Sequence, residues 1–316
     1  MAEKIFFEAM SPIEASVSSP GWPRNCCWKL LIAHIGEREF RHCVPGHHYS
    51  PDVASKIFMA TNMPRKAFWQ RHGRKGGMRV ERDFELYYWP LPFRGQFIRA
   101  ALAFAGKSWN EHDEGEIAAL MKMASEDQPV PFMGPPLLID NDTGFALSQM
   151  PAIMVYLAER LALVHGGARD RALTVKLVND ANDIIDELTL DGGRQMWTED
   201  RWVSFIPRLV KWMRIWEAVG TSNGLEAGKG FMLGTAKPDL ADIVTVTLWG
   251  TMASRFGAIA AMLAQHAPAT MGLVQRLRAH PALARLEARS VKRYGHAYCG
   301  GEIEKSLRAV LPAGEG

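Results

Sequence analysis

Residues 84–106 read FELYYWPLPFRGQFIRAALAFAG and carry the most informative local pattern of the chain. Its aromatic opening, FELYYW, is typical of a β-strand, and that strand is expected to end at Pro90 and Pro92. Apolar residues then recur every three or four positions, which predicts a helix, and Gly106 stands where a helix would stop. The stretch therefore predicts a strand that leads directly into a helix.

The residues that follow extend this unit. KSWNEHD predicts a short second strand, GEIAALMKMA a short helix, and PPLLIDNDTGFALS a hairpin with its turn at Asn141–Gly144. SQMPAIMVYLAERLAL predicts an amphipathic helix with Ser148 as its N-cap and Pro151 in its first turn. The resulting order is βαβαββα over residues 83–163, an α/β domain with a mixed sheet.

Beyond a linker at residues 165–170, the sequence shows only helical spacing. Four segments carry apolar residues at intervals of three and four: 171–188, 198–219, 238–254 and 280–294. No strand-like alternation of any length interrupts them. We therefore predict an all-α second domain over residues 171–305.

Composition limits where the protein acts. The chain has 316 residues, 47% of them hydrophobic and 22% charged, as in a globular protein of two domains. No run of 18 apolar residues is present, and acidic residues near the N-terminus do not favour a signal peptide. Four cysteines without a CxxC spacing predict neither disulfides nor a redox site. We expect a cytoplasmic protein.

Residues 1–80 differ from the rest and are expected to form a leader. They hold 12 Lys/Arg against 6 Asp/Glu, a net charge of about +6, whereas the remainder carries about −3. The mild overall basicity therefore gives no reason to expect nucleic-acid binding. Three cysteines and five histidines lie in this leader without the paired spacing of a zinc site, so no metal is predicted. Disorder, extra sequence ahead of a true start at Met78, and a transit peptide remain the alternatives.

Three motifs, taken in order, resemble the cytosolic glutathione transferases over about residues 83–300. Tyr88 at the end of the first strand is followed eleven residues later by Arg99, as in the tyrosine-type mu, pi and sigma classes. The segment from Pro136 through Gln149 resembles the family's cis-proline loop, its hairpin and the start of its third helix. Asp239-Leu-Ala-Asp resembles the capping box of its buried helix. The resemblance implies a thioredoxin-like domain followed by a helical domain.

The resemblance implies that Tyr88 activates the thiol of glutathione by donating its O–H to the sulfur. Lowering a thiol pKa of about 8.5 by two units requires roughly 2.7 kcal/mol in favour of the thiolate, which one well-placed donor can supply. Strand alternation places the neighbouring Tyr87 on the opposite face of the sheet. The structural alternative is that Tyr88 is only one aromatic residue of a buried strand.

The resemblance also implies how glutathione would bind. The backbone at Pro135 and cis-Pro136 would pair with the cysteinyl part, and Gln149 and Met150 would meet the γ-glutamyl carboxylate at a helix N-terminus. The further candidates are Trp89, Lys122 for the glycyl carboxylate, and Asp180 or Asp183 reaching a partner subunit's ligand.

Two positions depart from the family pattern. Pro135 has no N–H to donate, and Met150 stands where a serine is usual. Each change is expected to weaken glutathione binding by about 1 kcal/mol.

The predicted function is conjugation of glutathione to small hydrophobic electrophiles by a homodimer, in a detoxification role. A cluster of apolar residues is expected to form the wall for the electrophile: Met196, Trp197, Trp202, Trp212 and Trp216. Packing of the core or of a dimer face would explain these residues equally well. A non-catalytic ligand- or protein-binding module on the same fold is the alternative. A thiol oxidoreductase would require a cysteine at the start of the first helix, and FRGQ contains none.

Overall fold

A computed structural model of the chain describes residues 82–311, and the expectations for the leader lie outside these residues. Strands β1 (Phe84–Tyr87), β2 (Trp109–His112), β3 (Leu137–Asp140) and β4 (Ala146–Ser148) form one sheet in the order β2-β1-β3-β4. Helices α1 (Phe93–Phe104), α2 (Glu114–Met121) and α3 (Met150–Arg160) complete the unit. The predicted βαβαββα order is confirmed.

The sheet is mixed, with β1 parallel to β2 and antiparallel to β3, and with β3 antiparallel to β4. Alternation along β1 sends Phe84 and Leu86 into the core that the helices cover. On the other face, the Tyr87 ring stacks on His112 with ring centroids 3.7 Å apart. Tyr88 belongs to the same core cluster as Phe84 and Leu86, so the two adjacent tyrosines face opposite sides of the sheet.

The hairpin between β3 and β4 forms where the sequence predicted it. The N–H of Gly144 donates to the carbonyl of Asp140 at 2.8 Å, and Gly144 adopts a φ of 70° that favours glycine. The Asp140 carboxylate also accepts the Tyr156 hydroxyl at 2.6 Å and Arg160 Nε at 3.0 Å. These bonds fasten the start of the hairpin to α3.

The start of α3 differs from the prediction by one residue. Ser148 is the last residue of β4 and pairs with Leu137, so it is not the N-cap. Gln149 is the N-cap instead, with φ 72° and ψ 120°. The prediction for Ser148 is wrong because pairing with β3 holds its backbone in the sheet.

The rest of the described chain is helical. Its elements are α4 (Ala168–Leu188), α5 (Leu190–Gly193), α6 (Glu199–Ser222), α7 (Leu240–Arg255), α8 (Gly257–His266), α9 (Pro268–Arg278), α10 (Pro281–Tyr294) and α11 (Gly301–Val310). The four predicted helical segments correspond to α4, α6, α7 and α10. Helices α5, α8, α9 and α11 lie outside the four predicted segments. None of the helices within residues 82–311 has the length and apolarity that crossing a membrane requires.

Helix α7 lies at the centre of the helical part and is buried on nearly all sides. Two of its buried threonines bond within the helix: the Thr245 hydroxyl donates to the Ala241 carbonyl at 2.7 Å, and the Thr247 hydroxyl donates to the Ile243 carbonyl at 2.7 Å. The Thr245 hydroxyl also accepts Trp216 Nε1 at 2.9 Å. The predicted capping box is present at its start. Ala241 N–H donates to the Asp239 carboxylate and Asp239 N–H donates to the Asp242 carboxylate, both at 2.9 Å.

The two capping carboxyls make stability depend on pH. Burial, and then the neighbouring Asp239 carboxylate, raise the pKa of Asp242 above its usual range. The folded protein therefore holds this proton more tightly than the unfolded chain does. Its free energy of unfolding is expected to fall as pH rises above the ordinary Asp pKa of about 4, by up to about 1.4 kcal/mol per pH unit for one proton.

Asp242→Asn should flatten this part of the stability curve, measured by urea unfolding from pH 4 to 8. Asp200→Asn, at an exposed aspartate in the first turn of α6, serves as the matched control and should keep the slope of the original protein. An unchanged slope in Asp242→Asn would contradict the assignment.

Candidate active site

Three of the predicted site residues, Tyr88, Pro136 and Gln149, lie just beyond the ends of the strands, at one end of the sheet. The β1–β3 ladder ends one residue before Tyr88, the β3–β4 ladder ends one residue before Gln149, and Leu137 is the last partner on β3 in both. Extending both ladders by one residue would place Pro136 opposite Tyr88 on one side and opposite Gln149 on the other. At the usual strand spacing of about 4.8 Å, this register puts the three residues in a short row across the ends of the strands.

The hydroxyl of Tyr88 lies at the N-terminus of α1. It accepts the backbone N–H of Arg94 at 3.1 Å, which leaves its own proton to be donated elsewhere. The ring packs so closely on the helix that a Cβ at Gly95 would lie 2.2 Å from Tyr88 Cδ1. Gly95 is therefore required for the position of Tyr88, although the sequence analysis had not singled it out.

Burial raises the pKa of Tyr88 to about 12, against the opposing effect of the nearby Arg94 cation. Only 3% of the residue is exposed. A phenol with this pKa stays neutral throughout the physiological pH range. Tyr88 is therefore suited to donate a hydrogen bond and unsuited to act as a base or nucleophile.

Arg99 holds the loop that follows Tyr88. Its Nε and Nη2 donate to the two carboxylate oxygens of Glu111 on β2 at 2.7 and 2.8 Å, and its Nη1 donates to the Leu91 carbonyl at 2.9 Å. The guanidinium carbon lies 5.7 Å from the centre of the Tyr88 ring. The sequence indicated the spacing between Tyr88 and Arg99, whereas the partner Glu111 could not be read from it.

The remaining members of the row are placed by the backbone. The Pro135–Pro136 peptide is cis, as the resemblance implied. Gln149 is exposed and has a positive φ, which is uncommon for a residue other than glycine and is often found at functional sites. The Met150 side chain, in contrast, is fully buried in the core. Only its backbone can therefore contribute to this edge.

The other predicted site residues, Trp89, Lys122, Asp180 and Asp183, do not belong to this row. Trp89 is partly buried next to Tyr88, and Lys122 is exposed at the C-terminus of α2. Asp180 forms an ion pair with Lys176 one turn away on α4, and Asp183 is exposed. The roles given to Asp180 and Asp183 involve a second subunit and stay predictions.

Two α4 residues that the sequence did not indicate are the ones that approach α1. Arg94 Nε donates to the Asn182 amide oxygen, and Arg94 Nη2 donates to the Asp186 carboxylate, both at 3.2 Å. Helical spacing puts Asn182 and Asp186 on one side of α4. They join the helical part to the start of α1, beside the Tyr88 hydroxyl.

The segment between α10 and α11 also reaches the site. The Phe93 N–H donates to the Tyr298 carbonyl at 3.2 Å, and the two rings meet edge to face at 5.6 Å. Burial raises the pKa of Tyr298 well above its usual range, and the nearby Tyr88 adds to this effect. Tyr298 thus helps to bury Tyr88, from a position some 200 residues later in the sequence.

The Glu304 carboxylate holds residues 298–300 in place. It accepts the backbone N–H groups of Tyr298, Cys299 and Gly300 at 2.9, 2.9 and 2.6 Å. Burial alone would raise the pKa of Glu304, but these N–H groups and Arg308 lower it, so the carboxylate remains charged. The segment 298–300, called here the covering segment, is therefore firmly attached to α11.

The tryptophans predicted for the electrophile pocket divide into different environments. Trp216 is fully buried and meets Trp249 edge to face at 5.8 Å, so it belongs to the core and cannot form a pocket wall. Trp197 and Trp202 are also buried and pack on each other at 5.6 Å. Trp212 is partly exposed and donates to Glu187 at 3.0 Å.

Within residues 82–311, no group of three or more His, Cys, Asp or Glu side chains is arranged to hold a metal ion.

Comparison with known proteins identifies the fold. Residues 173–310, less than half of the chain, match the family model "Glutathione S-transferase, C-terminal domain". The solved structure of NaGST-2 has a TM-score of 0.54 and 19% identity, covering 66% of this chain and 98% of that one. A structure of NaGST1 has a TM-score of 0.53 and 19% identity over the same shares. No curated protein sequence matches the chain.

The fold is that of the glutathione transferases, a thioredoxin-like domain followed by a helical one. The family match covers only the helical part, and the two solved structures extend the likeness to the sheet as a likeness of fold.

Breaking the Arg99–Glu111 pair tests its structural role. The Arg99 side chain is only 2% exposed, so Arg99→Met would leave the Glu111 carboxylate largely buried without its cation. We expect the free energy of unfolding, measured by urea denaturation, to fall by about 3 kcal/mol. Arg208→Met removes the same kind of forked Arg–Glu pair from an exposed position and should change stability little. Equal effects of the two substitutions would contradict the argument.

Proposed function

We propose that the protein is a tyrosine-type glutathione transferase that joins the thiolate of glutathione to small hydrophobic electrophiles. The observation that carries the proposal is the row of Tyr88, Pro136 and Gln149 at one edge of the sheet, with the Tyr88 hydroxyl at the start of α1. The proposal includes a homodimer, a cytoplasmic location and a role in detoxification.

In this mechanism the thiol of glutathione loses its proton to water, and Tyr88 O–H donates a hydrogen bond to the resulting thiolate. The sulfur then forms a bond to the electrophilic carbon, and a leaving group departs with its electron pair. Tyr88 stays neutral throughout, in keeping with its raised pKa. The Arg94 N–H polarises the phenol by donating to its oxygen, which makes its O–H a stronger donor.

The row also provides groups that would hold the peptide part of glutathione. The first N–H groups of α3 have no partners within their helix and would attract the γ-glutamyl carboxylate beside the exposed Gln149. The carbonyl of Pro135 would accept one hydrogen bond from the cysteinyl part. The second bond of an extended pairing is missing because Pro135 has no N–H.

A non-catalytic binding module on the same fold is the second candidate. Two observations favour it: the lost N–H at Pro135, and the burial of the Tyr88 hydroxyl next to the covering segment. For the sulfur of glutathione to reach that hydroxyl, the segment would have to shift. Thiol exchange is disfavoured at Cys299, since burial and the nearby Glu304 raise the pKa of that thiol to about 12.

Tyr88→Phe tests the catalytic role. Removing the hydroxyl should lower kcat/KM about 100-fold with glutathione and a chloronitrobenzene, because the thiolate loses its donor. The pH at which the rate reaches half its maximum should also move upward. The measurement is steady-state kinetics from pH 5.5 to 9.

Tyr87→Phe is the matched control, since it removes the same atom from the other face of the sheet and should leave kinetics unchanged. Full turnover in Tyr88→Phe would reject the mechanism. Absence of turnover in the unmodified protein, with glutathione still bound, would favour the binding module.

Pro135→Val tests the glutathione-binding edge. The substitution restores an N–H at the position where the cysteinyl part would pair, and one added hydrogen bond of about 1 kcal/mol should tighten glutathione binding about fivefold. Titration calorimetry with glutathione measures this directly. Pro131→Val, at an exposed proline of the same loop, should leave affinity unchanged; weaker binding in Pro135→Val would place glutathione elsewhere.

A further inference from the structure

A second concave site lies at the other end of the sheet from Tyr88. It is a cleft of about 780 Å³ between the C-terminal half of α1, the start of β2 and one side of α10. Its walls include residues 106–109, which lead into β2, and Arg82, which precedes β1. Tyr88 follows the C-terminal end of β1, so this cleft is centred away from the proposed glutathione site. We call it the basic cleft.

The basic cleft is strongly and unevenly charged. Glu111 is the one acidic residue in its lining, and that carboxylate is already bound by Arg99. The cationic side chains of the lining are Arg82, Arg99, Lys107, Arg285, Arg289, Lys292 and Arg293. Arg99 pairs with Glu111, and Lys107 pairs with Asp83. The other five cations have no carboxylate partner among the described residues. Positive charge is therefore concentrated here without compensation.

Four of these cations come from one face of α10. Arg289 lies four residues after Arg285, three before Lys292 and four before Arg293, the spacings that bring side chains together on a helix. Like charges at such spacing repel each other and lower the stability of a helix. An anion held in the cleft would relieve this repulsion.

Buried polar groups in the cleft also lack partners. Ser290 Oγ and Gln96 Oε1 make no hydrogen bond, although the two residues are only 3% and 4% exposed. Both residues line the cleft. Buried polar atoms are nearly always hydrogen-bonded in folded proteins, so two unpartnered ones among the lining residues are unusual, and a ligand would satisfy them by turning these side chains toward the cleft.

Aromatic surface completes the site. Trp109 and Tyr294 are partly exposed in the lining, and the Arg289 guanidinium carbon lies 5.5 Å from the centre of the Trp109 ring. Such a wall accepts a planar ring, while the arginines recognise phosphate through their forked donors. The volume is within the range of sites for small organic molecules.

We propose that the basic cleft binds a small aromatic phosphate, at a site separate from that of glutathione. The concave shape and the two partly exposed aromatic rings favour a small molecule over an extended polyanion. The leader is a poor occupant on charge, because residues 1–80 carry a net charge of about +6. The proposal does not depend on the proposed transferase activity.

Titration calorimetry of the full-length protein with 2-naphthyl phosphate tests the proposal, in the absence of glutathione. We expect a single site whose affinity falls as sodium chloride is raised. The uncharged 2-naphthol and inorganic phosphate should each bind at least tenfold more weakly, since each lacks one of the two recognised groups.

Arg285→Glu and Arg289→Glu should each weaken binding of 2-naphthyl phosphate at least tenfold. Arg214→Glu is the matched control, because Arg214 is an exposed arginine of α6 outside the lining; it should bind like the unmodified protein. Ser290→Ala removes a buried hydroxyl without changing charge and should weaken binding several-fold. Tyr88→Phe should leave binding unchanged, which keeps this test independent of catalysis.

Several outcomes would overturn the proposal. No binding of 2-naphthyl phosphate, or equal binding of 2-naphthol, would show that the cleft does not recognise aromatic phosphates. Binding that is insensitive to Arg285→Glu, Arg289→Glu and Ser290→Ala would place the ligand elsewhere. Retention of a single-stranded oligonucleotide in preference to 2-naphthyl phosphate, lost in Arg285→Glu, would identify a nucleic-acid surface instead.

Discussion

Arg99 and Glu111 form a buried ion pair that joins α1 to β2 and to the loop after β1. Arg99 reaches from the middle of α1 to the edge strand β2 and to the loop after β1, so one guanidinium sets the distances among three elements. Burial would raise the pKa of Glu111, but the hydrogen bonds from Arg99 hold it below its usual range, and the pair stays ionised. Fork-shaped geometry satisfies both partners, which is the condition under which a buried ion pair is tolerated.

Both proposed sites are built around that pair. On one side, the held loop places Tyr88 against the start of α1, where Gly95 leaves room for the ring and the Arg94 N–H meets the hydroxyl. On the other side, Arg99 and Glu111 form part of the lining of the basic cleft. The sheet edge thus offers a neutral donor suited to a thiolate, while the cleft offers fixed positive charge suited to a phosphate. The two sites would recognise their ligands differently: Tyr88 would donate a hydrogen bond, and the cleft would attract a negative charge.

Much of the fold was predictable, because local pattern determines strands, helices and turns in this chain. Period and turn residues indicated the βαβαββα order, and the capping pair Asp239 and Asp242 marked the start of the buried helix α7. The exact start of α3 was not predictable, since pairing with Leu137 keeps Ser148 in the sheet and moves the cap to Gln149. Helices α8 and α9 were not predicted as elements, since each is short and follows its neighbour almost without a linker.

Local patterns in the sequence indicated the element order, the spacing of Tyr88 and Arg99, and the positions of Pro136 and Gln149 that resemble a glutathione-binding site. The surroundings of these residues follow from the packing of whole elements. The partners of Arg94 on α4, the cover provided by Tyr298 and the cationic face of α10 beside β2 all join residues that are far apart in the chain. Periodicity reports which face of an element is buried, whereas such contacts depend on how complete elements pack.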